Sequence, residues 1–243
     1  KMAQSLILDM SNGKDINAIK RASDGESMTL AAAFKDFLEM RDLKDKTIHD
    51  YGLSMNKAFK GWKRKRLIDI NRNMVKNKYS QIKKDAETRY IHRSKDRGLS
   101  PDKEVIEKRG NAQANLDMRF LRSLMNFASG QYEDRNGQPL VKDNPVTVLT
   151  KTKSWYRVER RQTIIKPHDL SAWFSAVNNL NGSQVMDYLT LLLFTGLRRQ
   201  EAMKLQWNQV DLKAKTLTIT DTKNRNPLTL PLGPFILKFL KDR

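Results

Sequence analysis

Apolar residues recur at helical spacing through the first half of the chain. Between residues 29 and 149 they fall three and four positions apart in four successive stretches, which predicts four amphipathic helices in one domain. The Thr-x-x-Asp spacing from Thr47 to Asp50 resembles a capping box and predicts that the second helix begins near Thr47. A loop around Gly98 is expected in the charged stretch before the fourth helix. Residues 1–28 have the pattern either of a terminal helix with a polar linker or of a frayed tail.

The hydrophobic pattern changes in the last third of the chain. The block Leu189–Phe194 is apolar on all sides, which predicts a buried helix. Gly196 can end that helix in the left-handed conformation, and Leu197–Leu205 is expected to restart as a short helix. Alternation in Thr216–Thr220 and Leu228–Leu232 predicts a β-hairpin. The expected core contacts of the short helix are Leu197, Met203 and Leu205.

These patterns predict a mainly α protein with two domains. A helical domain at residues 29–149 is followed, from residue 167 to 243, by an α+β domain that contains a small antiparallel hairpin or sheet. Residues 150–166 between them are basic, with aromatic residues interleaved. This segment either links the domains across a phosphate backbone or packs as a strand or edge segment on the second domain.

The net charge of the chain indicates what kind of partner it binds. The 243 residues contain 46 lysines and arginines against 27 aspartates and glutamates, and the formal net charge is +19. Such an excess favours an extended polyanion as partner. A membrane surface is a competing polyanion, but no apolar run approaches the ~20 residues of a spanning helix, and no signal peptide opens the chain. No membrane partner is therefore expected.

Composition also narrows the chemistry. The chain contains no cysteine, which excludes disulfides, cysteine-ligated zinc and thiol catalysis. Its three histidines are scattered, with no pair at helical spacing to suggest a metal site. Composition therefore gives no indication of a metal site.

Two cations stand at breaks in core-forming sequence. Arg198 follows Gly196 in the first turn of the predicted short helix, where the helix dipole opposes a positive charge, and Glu201 can pair with it one turn later. Lys223 lies in the connection of the predicted hairpin. An arginine that clamps two oxygens and a lysine that protonates a departing oxygen suit a reacting phosphodiester. The same spacing is also typical of a surface salt bridge and of a solvated hairpin lysine.

The sequence around these cations resembles a known family. Thr195–Ala202, with Leu205–Trp207 and Val210–Leu212 after it, closely resembles the first catalytic box of the tyrosine recombinases, the phage integrase family. Thr222–Asn224 and Leu228–Leu232 resemble the lysine hairpin of that family. Such an ordered set of matches is far more specific than Thr-Gly-Leu-Arg alone.

The resemblance implies a role for each charged residue. Arg198 would bind the scissile phosphate, Lys223 would act as general acid on the leaving 5′ oxygen, and Glu201 would support the arginine. The family works without metal or nucleotide cofactor. Its members act as homotetramers on double-stranded DNA, so core sequences of attachment sites are the implied partner. The implied location is the bacterial cytoplasm, in association with the nucleoid.

The helical domain resembles the core-binding domain of the same family, in which the second and fourth helices lie against DNA. Residues 1–28 resemble the junction to an N-terminal arm-type DNA-binding domain. Arg122 stands at the family's usual arginine position, whereas Leu116 departs from the pattern, because an arginine is common there. A run of charges is also typical of a solvated face. The candidate DNA contacts are Lys46, Thr47, Lys57, Lys60, Lys63, Arg64, Lys65 and Arg66 on the second helix and its exit, Gln113, Asn115, Arg119 and Arg122 on the fourth helix, and Lys153, Arg157, Arg160 and Arg161 in the linker.

The rest of the family's site has no counterpart in the sequence. A His-x-x-Arg box and a nucleophilic tyrosine would follow the hairpin, but all six tyrosines precede Arg198. A covalent phosphotyrosyl step needs that nucleophile. The chain is therefore expected to be the front half of a recombinase, with some exposed apolar surface in its second domain, and not to cleave DNA alone.

Three functions fit these residues. The first is a site-specific integrase of a phage or mobile element, which cuts and rejoins strands through a 3′-phosphotyrosyl intermediate. The second is a truncated integrase product that only binds DNA and blocks or regulates recombination. The third is a general basic nucleic-acid-binding protein in which the match to the catalytic box is a coincidence.

Overall fold

The structure is a computed structural model in which the chain divides into two units, Lys1–Arg160 and Arg161–Arg243. The predicted tail at residues 1–28 lies outside the described residues except for its last two positions. Within the described ranges, no helix has both the length and the apolar character needed to cross a membrane. The residues that the structure describes are 27–134, 136–160, 162–222 and 226–242.

The amphipathic helices predicted for the first unit are present. Short 3-10 turns follow the second helix at Lys60–Trp62 and Leu67–Asp69. The loop predicted around Gly98 is confirmed, because the glycine takes a positive φ of 68° between the third and fourth helices. The helices are α1 (Leu30–Glu39), α2 (Asp45–Lys57), α3 (Arg72–Lys95), α4 (Lys103–Gln131) and α5 (Thr147–Lys151).

The start of α2 corrects one sequence prediction. Thr47 lies inside the first turn rather than at the boundary, because the helix begins at Asp45. The backbone N–H of Thr47 donates to the Lys44 carbonyl at 2.7 Å, and Lys44 makes no capping hydrogen bond with its side chain. The carboxylate of Asp45 instead complements the positive end of the helix dipole. The predicted capping box at Thr47 is therefore wrong.

Helix α4 runs through the core of the first unit. Its Met118, Leu121 and Met125 are wholly buried in one hydrophobic cluster with residues of α1, α2 and α3. Aromatic rings add to the cluster, since the ring centroid of Phe120 lies 4.9 Å from that of Tyr51 on α2. Burial of apolar surface is the dominant favourable contribution to folding. This core therefore fixes the positions from which α2 and α4 present their polar side chains.

The second unit combines short helices with a three-stranded antiparallel sheet, which confirms the predicted α+β pattern. Its helices and 3-10 turns are Pro167–Asp169 (3-10), α6 (Leu170–Asn178), α7 (Ser183–Thr195), α8 (Arg199–Met203), Trp207–Gln209 (3-10) and α9 (Pro234–Lys241). Its strands are β1 (Val210–Asp211), β2 (Thr216–Ile219) and β3 (Leu228–Pro231). The strand order is β1-β2-β3, with Leu217 opposite both Val210 and Leu230.

Burial in the second unit is less complete than the sequence predicts. The apolar block of α7 predicts a helix buried on all sides, but Phe194 is 46% exposed and only Thr190 and Leu191 of this helix are buried. Leu191 packs with residues of β2 and α9, so α7 buries one face rather than its whole circumference. Met203 is also exposed, contrary to prediction. The residues of the short helical segment that contact the core as predicted are Leu197 and Leu205.

Candidate phosphate-binding site and DNA interface

Arg198 lies at a bend that the backbone builds locally. Helix α7 ends where Gly196 takes the left-handed conformation, with φ 64°, and the glycine N–H donates to the Leu192 carbonyl at 3.1 Å. Leu197 is buried in the core of the unit and anchors the chain next to the bend. Arg198 then occupies the N-cap position of α8 with an extended backbone. Its side chain therefore starts at the N-terminal end of that helix.

Glu201 fixes the direction of the Arg198 side chain. Its Oε1 accepts a hydrogen bond from Nη1 of Arg198 at 2.8 Å, and its Oε2 accepts one from the Arg198 backbone N–H at 2.9 Å. One carboxylate thus holds both the backbone and the guanidinium of the arginine. The pairing that the sequence spacing predicts is present.

The Arg198–Glu201 pair is buried on one side and open on the other. The Glu201 side chain is 7% exposed, whereas the Arg198 side chain is 55% exposed. Hydrogen bonds from the Arg198 guanidinium and from its backbone N–H lower the pKa of Glu201, so the carboxylate is ionised at neutral pH. In the described part of the chain, Glu201 takes one of the several N–H groups of the guanidinium. The remaining donors can bind a second anion, such as a phosphate.

The second predicted cation, Lys223, lies outside the described residues. Just before it, Thr222 is buried, and its hydroxyl donates to the Asn226 carbonyl at 2.6 Å. Strands β2 and β3 pair antiparallel on either side. The described residues therefore form the hairpin that the sequence predicts, while the role of Lys223 stays a prediction.

The cations of α2 and its exit fall into two groups. In the first group, Lys46 pairs with Asp50 at 3.1 Å, and Arg66 donates two hydrogen bonds to Asp69 at 2.9 Å. The second group is exposed and has no ion pair with any described carboxylate. It consists of Lys57, Lys60, Arg64 and Lys65. These side chains are the most available to phosphates.

The other candidates before α3 and in the linker are mostly on the surface. Thr47 is half-buried in the first turn of α2, and Lys63 is half-buried and donates to Asn56 at 2.6 Å. In the linker, Arg157 pairs with Glu159 at 3.2 Å. Arg161 lies outside the described residues. The exposed linker candidates are Lys153, Arg157 and Arg160.

The candidates on α4 differ in what they contact. Arg119 is exposed. Arg122 is half-buried, with its guanidinium 5.6 Å from the centroid of the Trp155 ring. Gln113 is half-buried and donates from Nε2 to the buried carboxylate of Asp117 at 3.0 Å. The three side chains therefore differ in how exposed they are and in what they contact.

Asn115 is not placed to contact DNA, which corrects a sequence prediction. It is 6% exposed, and both ends of its amide are used inside the first unit. Its Oδ1 accepts from the Tyr79 hydroxyl, and its Nδ2 donates to the Tyr156 carbonyl at 2.9 Å. Asn115 therefore holds the chain near Tyr156 against α4 rather than facing a ligand.

Tyr79 completes this internal link, which the sequence alone does not reveal. Its hydroxyl accepts from the Tyr156 backbone N–H at 2.7 Å, and the two rings stack with centroids 4.3 Å apart. Burial raises the pKa of Tyr79 to about 12, so the hydroxyl stays protonated and can donate to Asn115. The only signal in the sequence is a tyrosine on the apolar stripe of α3.

Comparison with known proteins agrees with the site in the second unit. A model described as the phage integrase family matches residues 163–243. The match covers almost the whole second unit and about a third of the chain, so this unit is similar to the phage integrase family. The match includes the Arg198–Glu201 pair and the hairpin, so the integrase motif and the observed geometry fall in the same segment.

Curated relatives align with parts of the chain. Prophage integrase IntF of Escherichia coli strain K12 is 38% identical over 76 residues, which cover 31% of this chain and 16% of that protein. The shufflon-specific DNA recombinase of Escherichia coli is 28% identical over 128 residues, which cover 52% of this chain and 30% of that protein. The chain therefore spans less than a third of the length of these relatives.

The fold is similar to that of solved integrases. A lambda integrase dimer bound to a COC' core site has a TM-score of 0.57 at 17% identity, over 94% of this chain and 56% of that chain. The Tn1549 transposon integrase in complex with transposon right end DNA has a TM-score of 0.61 at 15% identity, over 88% of this chain and 64% of that chain. At such low identity the similarity shows the integrase fold alone.

Proposed function

We propose that this chain supplies the DNA-binding surface and part of the phosphate clamp of a site-specific DNA recombinase of the tyrosine type. The whole enzyme would cut and rejoin strands at attachment-site core sequences of a phage or mobile element through a 3′-phosphotyrosyl intermediate. One observation carries the proposal. It is the half-exposed Arg198, fixed by the buried Glu201, in the segment that matches the phage integrase family.

A reacting phosphodiester explains why these residue types are useful together. Arg198 would neutralise the non-bridging oxygens as a nucleophile bonds to phosphorus. Lys223 would give a proton to the 5′ oxygen as the bond between that oxygen and phosphorus breaks. Glu201 holds the guanidinium in place beforehand, so little rearrangement is needed when charge develops. In this proposal the chain's own side chains neutralise the charge, with no metal or cofactor.

Double-stranded DNA is the proposed partner of the first unit. The exposed cations at the end of α2 and Arg119 on α4 support this proposal, because unpaired surface cations suit a polyanion. We expect them to contact phosphates, which positions the protein but does not read sequence. The proposed assembly is a homotetramer on two DNA sites, acting on DNA at the nucleoid of a bacterial cell.

DNA binding is tested by fluorescence anisotropy of the 243-residue chain with a labelled duplex at several salt concentrations. The logarithm of the affinity falls linearly with the logarithm of the salt concentration, and each neutralised phosphate makes this slope steeper by about 0.9. Lys60→Ala should lower the slope by about that amount. The matched control is Lys46→Ala, because Asp50 already pairs with Lys46. An unchanged slope in Lys60→Ala would argue against a DNA contact at the exit of α2.

The phosphate clamp is tested by covalent trapping on a nicked DNA substrate, with protein expressed from the complete coding frame. Arg198→Ala should lower the rate of adduct formation about a hundredfold or more, because an aligned charge-stabilising donor is lost. Arg199→Ala removes the neighbouring exposed arginine and should retain most of the rate. Equal losses in both variants would contradict the assignment of Arg198.

A second candidate function is a DNA-binding module without cleavage activity. One observation favours it: the exposed cations at the end of α2 and Arg119 on α4 would bind DNA without any chemical step. The trapping experiment separates the two functions. A protein from the complete coding frame that binds attachment-site DNA and never forms an adduct would be the binding module.

A further inference from the structure

A buried carboxylate connects α2 to α4 in the first unit. Asp117 on α4 is 1% exposed and accepts two hydrogen bonds. Its Oδ1 accepts from the Ser54 hydroxyl of α2 at 2.5 Å, and its Oδ2 accepts from Nε2 of Gln113, one turn earlier on α4, at 3.0 Å. Both helices belong to the proposed DNA interface. The cluster therefore lies under the surface that would meet DNA.

This carboxylate determines which way the Gln113 amide points. Because Nε2 of Gln113 donates to Oδ2 of Asp117, the amide turns its NH2 group inward. Its Oε1 then points away from Asp117 and has no hydrogen-bond partner among the described residues. Among the described residues, the only buried side-chain N or O atom without a hydrogen-bond partner is Oδ1 of Asn111. The unpaired Oε1 of Gln113 is therefore not a buried atom. The Oε1 of Gln113 is therefore open to solvent as a fixed acceptor.

The surroundings of the cluster favour a polyanion. The positive charges of Lys57 and Arg89 are near enough to act on Asp117. Lys57 is one of the exposed cations at the end of α2. The amide oxygen thus lies next to positive side chains, which could contact phosphates while the oxygen contacts a base edge.

We infer that Gln113 determines base specificity by presenting only its carbonyl oxygen to the major groove. This inference rests on the proposed function, in which α4 lies against DNA. An outward acceptor pairs with a base that offers an amino group there, namely cytosine through N4 or adenine through N6. It opposes guanine and thymine, which offer acceptors at the same edge. Asp117 is the positioning residue, because it removes the alternative orientation of the amide.

The test is selection of bound sequences from a random duplex library by the 243-residue chain and two variants. The wild-type chain should favour cytosine or adenine at one position by about tenfold over guanine and thymine. Gln113→Ala should lose the preference at that position and keep the others. Asp117→Leu replaces the buried carboxylate with a side chain that cannot orient the amide. It should relax the same position about tenfold, because the free amide can present either end.

Two variants are used so that the test remains informative if one of them fails to fold. Gln113→Ala leaves the Asp117–Ser54 hydrogen bond in place, so it remains informative if Asp117→Leu unfolds. The inference is overturned if Gln113→Ala changes no position. It is also overturned if folded Asp117→Leu keeps the wild-type preference, or if it weakens all positions equally. If the wild-type chain binds no duplex at all, the proposed function itself is overturned. If the chain binds duplex DNA but Gln113→Ala changes no position, only the base-reading role of Gln113 is overturned.

Discussion

The two units hold their functional polar side chains in different ways. In the second unit, Arg198 and Glu201 are three residues apart, and the first turn of α8 brings them together. In the first unit, Asp117 accepts from Ser54, which lies 63 positions away in the sequence on another helix. One site is built by the backbone of a single helical turn. The other exists only when helices are docked correctly.

This difference separates what each site depends on. A local pair keeps its geometry as long as its own helix forms, whatever happens to distant packing. A long-range network requires the whole core, because each partner is held by different contacts. We therefore expect the hydrogen bonds of Asp117 with Ser54 and Gln113 to be lost when the core of the first unit is weakened, and the Arg198–Glu201 pair to be retained.

The largest effect is expected from breaking the network around Tyr79. Tyr79→Phe removes one hydroxyl and leaves two partners unpaired, the buried amide oxygen of Asn115 and the partly buried backbone N–H of Tyr156. Leaving such groups unsatisfied costs about 1–3 kcal/mol. The free energy of unfolding of the first unit should fall by about that amount, measured by urea denaturation with far-ultraviolet circular dichroism.

The matched control uses the same substitution on the same helix. Tyr90 is half-buried on α3, with the Arg109 guanidinium 5.4 Å from its ring centroid. Because Tyr90→Phe keeps that ring contact, it should change stability by less than about 0.5 kcal/mol. Equal destabilisation by both variants would show that the Tyr79 hydroxyl does not hold the Tyr156 segment.

A smaller and pH-dependent effect is expected at Asp117. Burial raises its pKa above the ordinary value of 3.8, although hydrogen bonds from Ser54 and Gln113 act in the opposite direction. The folded state therefore binds a proton more readily than the unfolded state, so the contribution of this group to stability falls as pH rises through that window. Asp117→Asn cannot ionise. Its melting temperature relative to wild type should increase as pH rises from about 4 toward neutrality.

The opposite trend would contradict the role of burial at this position. If Asp117→Asn lost stability relative to wild type as pH rose, the ionised carboxylate would be favoured by its hydrogen bonds. The network would then resemble the Arg198–Glu201 pair in its pH dependence. The contrast between the two units would not extend to their electrostatics.

The same contrast explains how much the sequence predicts. Gly196, Arg198 and Glu201 lie within a few positions of one another, and their local spacing predicts both the helix break and the ion pair. Val75 and Ile82 likewise predict the buried stripe of α3, because periodicity reports which face a helix buries. Local patterns are sufficient where the partners are near in sequence.

The wrong predictions concern residues whose environment is not decided by spacing. Thr47 has the spacing to Asp50 that is typical of a cap, but the helix begins two positions earlier at Asp45, so Thr47 lies inside α2. Met203 is the last residue of a helix of five residues, which is too short to bury both of its faces. Asn115 has the polarity of a DNA contact, but a partner 41 positions away determines that it is buried. Periodicity carries no information about such distant partners.

The smallest effect is expected from breaking the local pair in the second unit. Hydrogen bonds from Arg198 lower the pKa of Glu201 below the ordinary value of 4.5, so the pair stabilises the folded state above that pH. This contribution is lost as pH falls through the lowered pKa. Glu201→Gln should therefore melt slightly below wild type at neutral pH, and the difference should shrink on acidification. The shift is expected to be small, because the Arg198 side chain is 55% exposed and solvent screens its charge.

A surface pair provides the matched control for this last prediction. Glu159→Gln changes the same residue type beside Arg157, whose side chain is 88% exposed, and should leave the melting temperature unchanged. A difference between Glu201→Gln and wild type that stays constant from neutral to acidic pH would contradict an ionised Glu201. In that case Glu201 would contribute through its packing, and Arg198 would owe its direction to the bend at Gly196.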